Sequence, residues 1–255
     1  MIYQFRHKGV LIRFAFPPGG GKRHRFDKLL IFLPGLPSYP GQPSFLDAAL
    51  KLRVGVVMPQ YLGSYQSDGI FTPHGCIETV RRTVEFLNRK HGEELYGKTK
   101  ISWDFSEIIL GGTSFGGYAA VESLKYIAFQ KLFLVSPLLY LAPTNGLPKL
   151  GDPIIHRLEF VKDVYGHVYR SVSISLWKRA MAHFQAGENG RTIVEQTRIA
   201  ILHGIKDNIV PYQHSKYFSK QHPNVFLGLQ PGAGHSTSEV CSSALFTRAM
   251  RYLEK

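Results

Sequence analysis

Three short stretches of this chain hold a serine, an aspartate and a histidine in settings where they could work together. Gly112-Thr113-Ser114-Phe115-Gly116 puts a serine between two glycines, after the apolar run Ile108-Ile109-Leu110 and before an alanine-rich helical pattern from Phe115 to Ile127. A serine in such a strand-to-helix turn has its hydroxyl pushed out above the sheet. The helix behind it aims backbone N–H groups at any negative charge that forms there. His203-Gly204-Ile205-Lys206-Asp207-Asn208-Ile209-Val210-Pro211 follows the apolar run Ile199–Leu202 and offers Asp207. Gly232-Ala233-Gly234-His235-Ser236 follows Val225–Leu229 and offers His235, the one of the eleven histidines that sits in a glycine-rich loop after the last apolar run. Taken singly, each has a plainer reading: a capping serine, an Asx turn before Pro211, a surface histidine. Taken together, Ser114, Asp207 and His235 offer a hydroxyl, a carboxylate and an imidazole just after three apolar runs, the residue types that nucleophilic catalysis combines. His235 would take the Ser114 proton and return it to the leaving group, while Asp207 would hold the imidazole in the needed tautomer.

The elements that must position these residues are legible as an alternation of periods. Leu29–Leu33, Val54–Met58, Ile108–Leu110, Leu132–Val135, Ile199–Leu202 and Val225–Leu229 are continuous apolar runs stopped by Gly, Pro, Ser or His. Runs apolar on both faces predict buried parallel strands. Tyr3 to Phe16, interrupted at Lys8-Gly9, predicts a β-hairpin. Ile77, Val80, Val84 and Leu87 share one helical face, and a helix is expected from Glu239 to Leu253. Strand alternating with helix predicts an α/β fold, a mostly parallel twisted sheet of eight strands with helices on both faces. Ligands of such sheets bind at the carboxyl ends of the strands, where all three stretches lie. The segment from Pro137 to Thr197 breaks the rhythm, carries several aromatics and has a helix-like stretch from Ser175 to Phe184. A connection that long is functional or folded in its own right.

With these motifs the sequence resembles the α/β-hydrolase superfamily of serine hydrolases over nearly its whole length, from Leu29 to the C-terminal helix. Gly-x-Ser-x-Gly-Gly-Tyr-Ala-Ala and His-Gly-x-x-Asp-x-x-Val-Pro are also similar to the catalytic domains of prolyl-oligopeptidase-type peptidases and of dienelactone-hydrolase-like proteins. The resemblance implies one α/β-hydrolase domain over residues 1–255, with residues 138–196 as a cap insertion. It implies an oxyanion hole with one N–H from Phe115 and a second from the loop Pro34-Gly35-Leu36-Pro37. Many relatives carry His-Gly where this chain has Pro34-Gly35. Neither proline has an N–H to give; Leu36 is the best remaining donor, with the position open by one residue. Tyr140 and Trp177 are the expected substrate-binding walls contributed by the cap. The function implied is cleavage of carboxylic esters of small to medium acyl groups. A peptidase or acyl-aminoacyl hydrolase with the same triad is the alternative, and a non-catalytic binder on this scaffold a further one.

Composition sets the outer bounds. The 255 residues are 44% hydrophobic and 19% charged, which excludes disordered, collagen-like and coiled-coil chains. Two cysteines, Cys76 and Cys241, exclude a disulfide framework and a four-cysteine zinc site and are expected to be packing residues. No cofactor and no metal are expected, because no His pair has zinc-site spacing with an acid beside it. No apolar run approaches the roughly 18 residues of a membrane helix, and the first residues lack a basic-then-apolar leader pattern, so a cytoplasmic protein is expected. The net charge of +13 could mean an anionic partner. Much of it falls in residues 1–30, in the hairpin and its exit loop, and no basic stripe with interleaved aromatics comes after them. A solvated basic surface is therefore expected rather than a specific nucleic-acid site, and the partner is a small ester.

Overall fold

The apolar runs form the middle of one sheet. In the computed structural model, which describes residues 1–19, 21–141, 147–150, 154–182, 184 and 196–255, strands β4 (Lys28–Leu33), β5 (Val54–Pro59), β8 (Glu107–Thr113), β9 (Lys131–Val135), β10 (Arg198–Gly204) and β11 (Val225–Gln230) run parallel to one another. The hairpin of β1 (Ile2–His7) and β2 (Val10–Ala15) adds two antiparallel strands along the outer side of β5. The eight strands lie in the order β1-β2-β5-β4-β8-β9-β10-β11. Side chains of a strand alternate between faces, and β4 shows how the sheet divides the core. Leu29, Ile31 and Leu33 join one buried cluster while Leu30 and Phe32 join the other.

Helices cover both clusters. Helix α2 (Pro73–Asn88) begins at Thr72, whose hydroxyl accepts the Gly75 N–H at 2.9 Å, with Pro73 in the first turn where its missing N–H costs nothing. It buries Cys76, Val80, Thr83 and Leu87 on the same side as α3 (Phe115–Ser123). Helix α6 (Tyr212–Gln221), between β10 and β11, buries Phe218 in that same cluster. Helix α1 (Leu46–Lys51) and the C-terminal α8 (Ser243–Glu254) cover the opposite face, where Phe45 and Phe246 stack with ring centroids 4.8 Å apart. The expected single helix from Glu239 to Leu253 is two. Helix α7 (Thr237–Val240) starts at Ser236 and stops at Cys241, and Ser242 then caps α8 by accepting the Leu245 N–H. Serines in sequence offer the backbone a new start that helical periodicity does not register.

A second, three-stranded sheet of β3 (Arg23–Arg25), β7 (Lys100–Asp104) and β6 (His91–Glu93) lies against the hairpin. Its strands are short and largely charged, so no apolar run announced them. Trp103 anchors it, with its indole N–H donating to the Leu87 carbonyl at 2.9 Å and its ring against Phe5 and Phe14.

Between β9 and β10 the chain leaves the sheet and forms α4 (Ile154–Val164) and α5 (Ile174–Met181). Parts of the segment expected as a cap lie outside the described residues. The turn between α4 and α5 is moored to the loop after β5. The Tyr65 N–H donates to the Val168 carbonyl at 2.9 Å and the Arg170 N–H to the Gly63 carbonyl at 2.8 Å. The Arg170 guanidinium donates to the carbonyls of Tyr65 and Ser67.

The turn after β8 is packed backbone to backbone. A Cβ on Gly116 would sit 2.3 Å from the Leu33 carbonyl oxygen, and one on Gly112 would sit 2.4 Å from the Gly116 carbonyl. Gly116→Ala is expected to lower stability by at least about 2 kcal/mol, because no side chain can move aside to relieve the clash. A urea melt of the variant measures it, and an unchanged midpoint would contradict this packing.

Candidate active site

Ser114 sits between β8 and α3 with φ 52° and ψ −118°, a left-handed backbone that a residue with a Cβ rarely adopts. Neighbours over-determine it. Its N–H donates to the Val135 carbonyl at 3.0 Å, and its carbonyl accepts the N–H groups of Gly117 at 2.9 Å and Leu138 at 3.0 Å. The strain is the cost of presenting the hydroxyl, which makes no capping bond to its own helix. The loop after β4 runs against it, since a Cβ on Gly35 would lie 3.4 Å from the Ser114 Cβ.

The structure brings His235 and Asp207 to the same rim. The His235 Nδ1–H donates to Asp207 Oδ2 at 2.7 Å. Asp207 is buried, and its other oxygen, Oδ1, accepts the N–H groups of Ile209 at 3.0 Å and Val210 at 2.9 Å. Burial alone would raise its pKa. The hydrogen bonds from His203 and His235, the His235 charge and the Val210 N–H outweigh burial and hold the carboxyl well below the usual range. Ser114 and His235 line one cavity of ≈ 330 Å³. No hydrogen bond joins them in this arrangement, as is common where a base closes on its nucleophile only with substrate bound.

Phe115 and Leu36 line the same cavity, and the backbone N–H of neither is used in a hydrogen bond among the described residues. The Leu36 loop is fastened from behind. Tyr61 donates to the Pro34 carbonyl at 2.9 Å, Tyr65 donates to the Ser38 carbonyl, and the Ser38 N–H donates to the Tyr169 hydroxyl at 3.2 Å.

Tyr140 and Trp177 are not on the cavity wall, and the expectation that they bind substrate is corrected. Trp177, on α5, is fully buried, its ring centroid 5.1 Å from Phe71 and 5.6 Å from Phe115 at the start of α3. Tyr140 is buried against His214 and Tyr217. Large rings gain most by burying their whole surface against other side chains. The segment between β9 and β10 instead contributes Leu138, Leu150, Ile154 and Arg157, with Ile209 and Val210 from the turn after β10. Ile154 and Arg157, three apart, share a face of α4, a spacing the sequence contained but did not mark out.

His203, four residues before Asp207, carries no motif signal of its own in the sequence. It is fully buried at the end of β10, with Nε2 3.1 Å from Asp207 Oδ2 and 2.9 Å from the Val210 carbonyl. Two acceptors at Nε2 assign the hydrogen there, so Nδ1 accepts from the Ser215 hydroxyl at 2.8 Å. The Ser215–His203–Asp207–His235 chain fixes the carboxylate from behind, and His203 is a positioning residue. His203→Ala is expected to reduce kcat/KM for an ester about 10- to 100-fold, the range for losing one hydrogen bond to a charged group. Steady-state kinetics check it, and an unaltered value would remove His203 from the site.

No protein-family model matches the chain, and no curated protein sequence does. Solved structures match over nearly all of it. Est1E from Butyrivibrio proteoclasticus superposes with a TM-score of 0.63 at 14% identity, covering 99% of this chain and 96% of its own. A thermophilic esterase from Thermogutta terrifontis gives 0.61 at 14%, covering 100% of both chains. DcsB, solved with a substrate analogue, gives 0.69 at 16%, covering 100% of this chain and 98% of its own. The chain has the α/β-hydrolase fold. Within that fold the residue after β8, the turn after β10 and the loop after β11 meet at the carboxyl ends of the strands, which is where Ser114, Asp207 and His235 stand. Among the described residues no helix is long and apolar enough to cross a membrane.

Proposed function

We propose that the protein is a serine hydrolase of carboxylic esters, with Ser114 as nucleophile, His235 as general base and acid, and Asp207 as the residue that orients His235. The observation that carries this reading is the strained Ser114 turn opening into a cavity shared with His235, whose other ring nitrogen is bonded to Asp207 at 2.7 Å. With Nδ1–H held by the carboxylate, Nε2 is left as the proton acceptor. Ser114 Oγ attacks the ester carbonyl and its proton passes to His235. The oxyanion forms beside the N–H groups of Phe115 and Leu36. Collapse of the tetrahedral adduct expels the alcohol, which takes the proton from His235. Water then enters, gives its proton to the same imidazole and releases the acid.

An acyl group of small to medium size suits the ≈ 330 Å³ cavity and its apolar side chains Leu138, Leu150, Ile154, Ile209 and Val210. That the similar structures include Est1E and a thermophilic esterase supports esters as the substrate class. A panel of nitrophenyl esters of rising chain length, set beside aminoacyl anilides, tests the reading. Turnover of short esters with little or none of the anilides is expected. Cleavage of the anilides at comparable kcat/KM would move the assignment to a peptidase.

A further inference from the structure

A second cavity of ≈ 350 Å³ lies on the far side of the loop that carries Leu36. It shares Gly35, Ser38, Thr113, Ser236 and Thr237 with the cavity that holds Ser114, so the two adjoin beside the nucleophile. The partition includes a hydrogen bond of 3.2 Å between the hydroxyls of Thr237 and Thr113. Phe32, Met58, Tyr61 and Tyr65 supply apolar surface to the second cavity, and the tyrosine hydroxyls are already engaged with the Leu36 loop.

Two polar side chains on that wall are only half used. Arg13, half-buried on β2, donates from Nη1 to the carbonyls of Pro40 and Gly41. Its Nε and Nη2 have no partner, and it makes no ion pair, among the described residues. Gln60, only 5% exposed, accepts the Gln66 N–H at 2.9 Å through Oε1, and its amide NH₂ has no partner among the described residues. A half-buried guanidinium without a carboxylate and an amide NH₂ that no protein acceptor takes both line the cavity with hydrogens to offer. A carboxylate satisfies such a pair, the guanidinium through its fork and the amide through one oxygen.

We propose that this cavity binds a carboxylate borne on an apolar or aromatic frame, recognised by Arg13 and Gln60. In turnover, and resting there on the hydrolase reading above, it accepts the part of an acidic ester remote from the bond cleaved. The reaction cavity then holds the scissile carbonyl, and the second one selects for negative charge a short distance away.

Binding measured without turnover tests the site independently of that reading. Titration calorimetry compares 4-phenylbutyrate with 4-phenylbutan-1-ol, which share a frame and differ in charge. The acid is expected to bind at least about tenfold more tightly. Arg13→Met should remove about 10- to 100-fold of acid affinity, and Arg13→Lys should restore part of it. Should Arg13→Met not fold, Gln60→Leu is expected to weaken acid binding about tenfold while the alcohol is held as before. Equal affinity for acid and alcohol, no binding of either, or an acid preference that survives both Arg13→Met and Gln60→Leu would overturn the proposal. The last outcome would place anion recognition elsewhere, such as at Arg157 in the reaction cavity. Failure of Ser114 to react with an acylating probe would sink the hydrolase reading and leave the binding result standing.

Discussion

Ser114→Ala is expected to lower kcat/KM for a short nitrophenyl ester by about 10⁴-fold or more, with the fold retained. On the proposed mechanism, losing the Ser114 hydroxyl removes the covalent step entirely. The residual rate is that supplied by the oxyanion donors and by binding, which water can still use. The fold should be indifferent, because the Ser114 side chain makes no capping hydrogen bond, and it is backbone bonds to Val135, Gly117 and Leu138 that hold the turn. Purified variant and parent are compared by steady-state kinetics and by urea melts. A variant that unfolds earlier by several kcal/mol would mean that the turn depends on the hydroxyl. One that keeps a tenth of the parent's activity would remove Ser114 as nucleophile.

Asp207→Asn should be almost as damaging, at about 10⁴-fold, and the structure says why. Oδ1 accepts two backbone N–H groups that cannot rotate away, while Oδ2 accepts the two imidazoles of His203 and His235. An asparagine has one oxygen. If it serves the backbone, its NH₂ group faces both histidines, donor against donor. His235 can then satisfy Nδ1 only by moving its hydrogen to Nε2, the nitrogen that must accept the serine proton. Rescue by a conservative side chain is therefore not expected at this position. Stability carries a pH signature of the same contacts. The Asp207 carboxyl is held below its ordinary pKa, so the folded state favours the ionised form. That contribution is full above the unfolded carboxyl's pKa and is lost as the pH falls through the folded value. Asp207→Asn removes it, so the gap in urea midpoint between parent and variant should narrow on acidification. A gap that widens towards low pH would contradict the assignment of Asp207 as an ionised, doubly bonded carboxylate.

The parts of the molecule that were legible in the sequence are those whose signal is local. Leu29–Leu33 or Ile199–Leu202 can only be central strands, because a run apolar on both faces has nowhere else to go. Ser114 was legible because its two flanking glycines and its place between strand and helix answer one need, a sharp turn with an exposed side chain. The illegible parts depend on distance across the fold. The strands at Arg23–Arg25 and His91–Glu93 are three residues each and mostly exposed, so they carry no hydrophobic period. Aromatic residues in an insertion, such as Trp177 and Tyr140, can be either wall or seam, and only packing decides. His203 lay in plain sight beside Asp207, yet its role depends on Ser215, twelve positions on across a loop and a helix turn. Arg13 and Gln60 sit on β2 and just after β5, and nothing in either segment says that they face a common cavity.

The measurement closest to the central claim is covalent labelling. Folded protein is treated with a fluorophosphonate, which phosphonylates only an activated serine, and the adduct is located by mass spectrometry of its peptides. Labelling at Ser114 is predicted, abolished by Ser114→Ala and strongly slowed by His235→Ala, because without the imidazole nothing takes the hydroxyl proton. Folded protein that remains unlabelled, or a label on another serine that persists in Ser114→Ala, would contradict the assignment of Ser114 as an activated nucleophile.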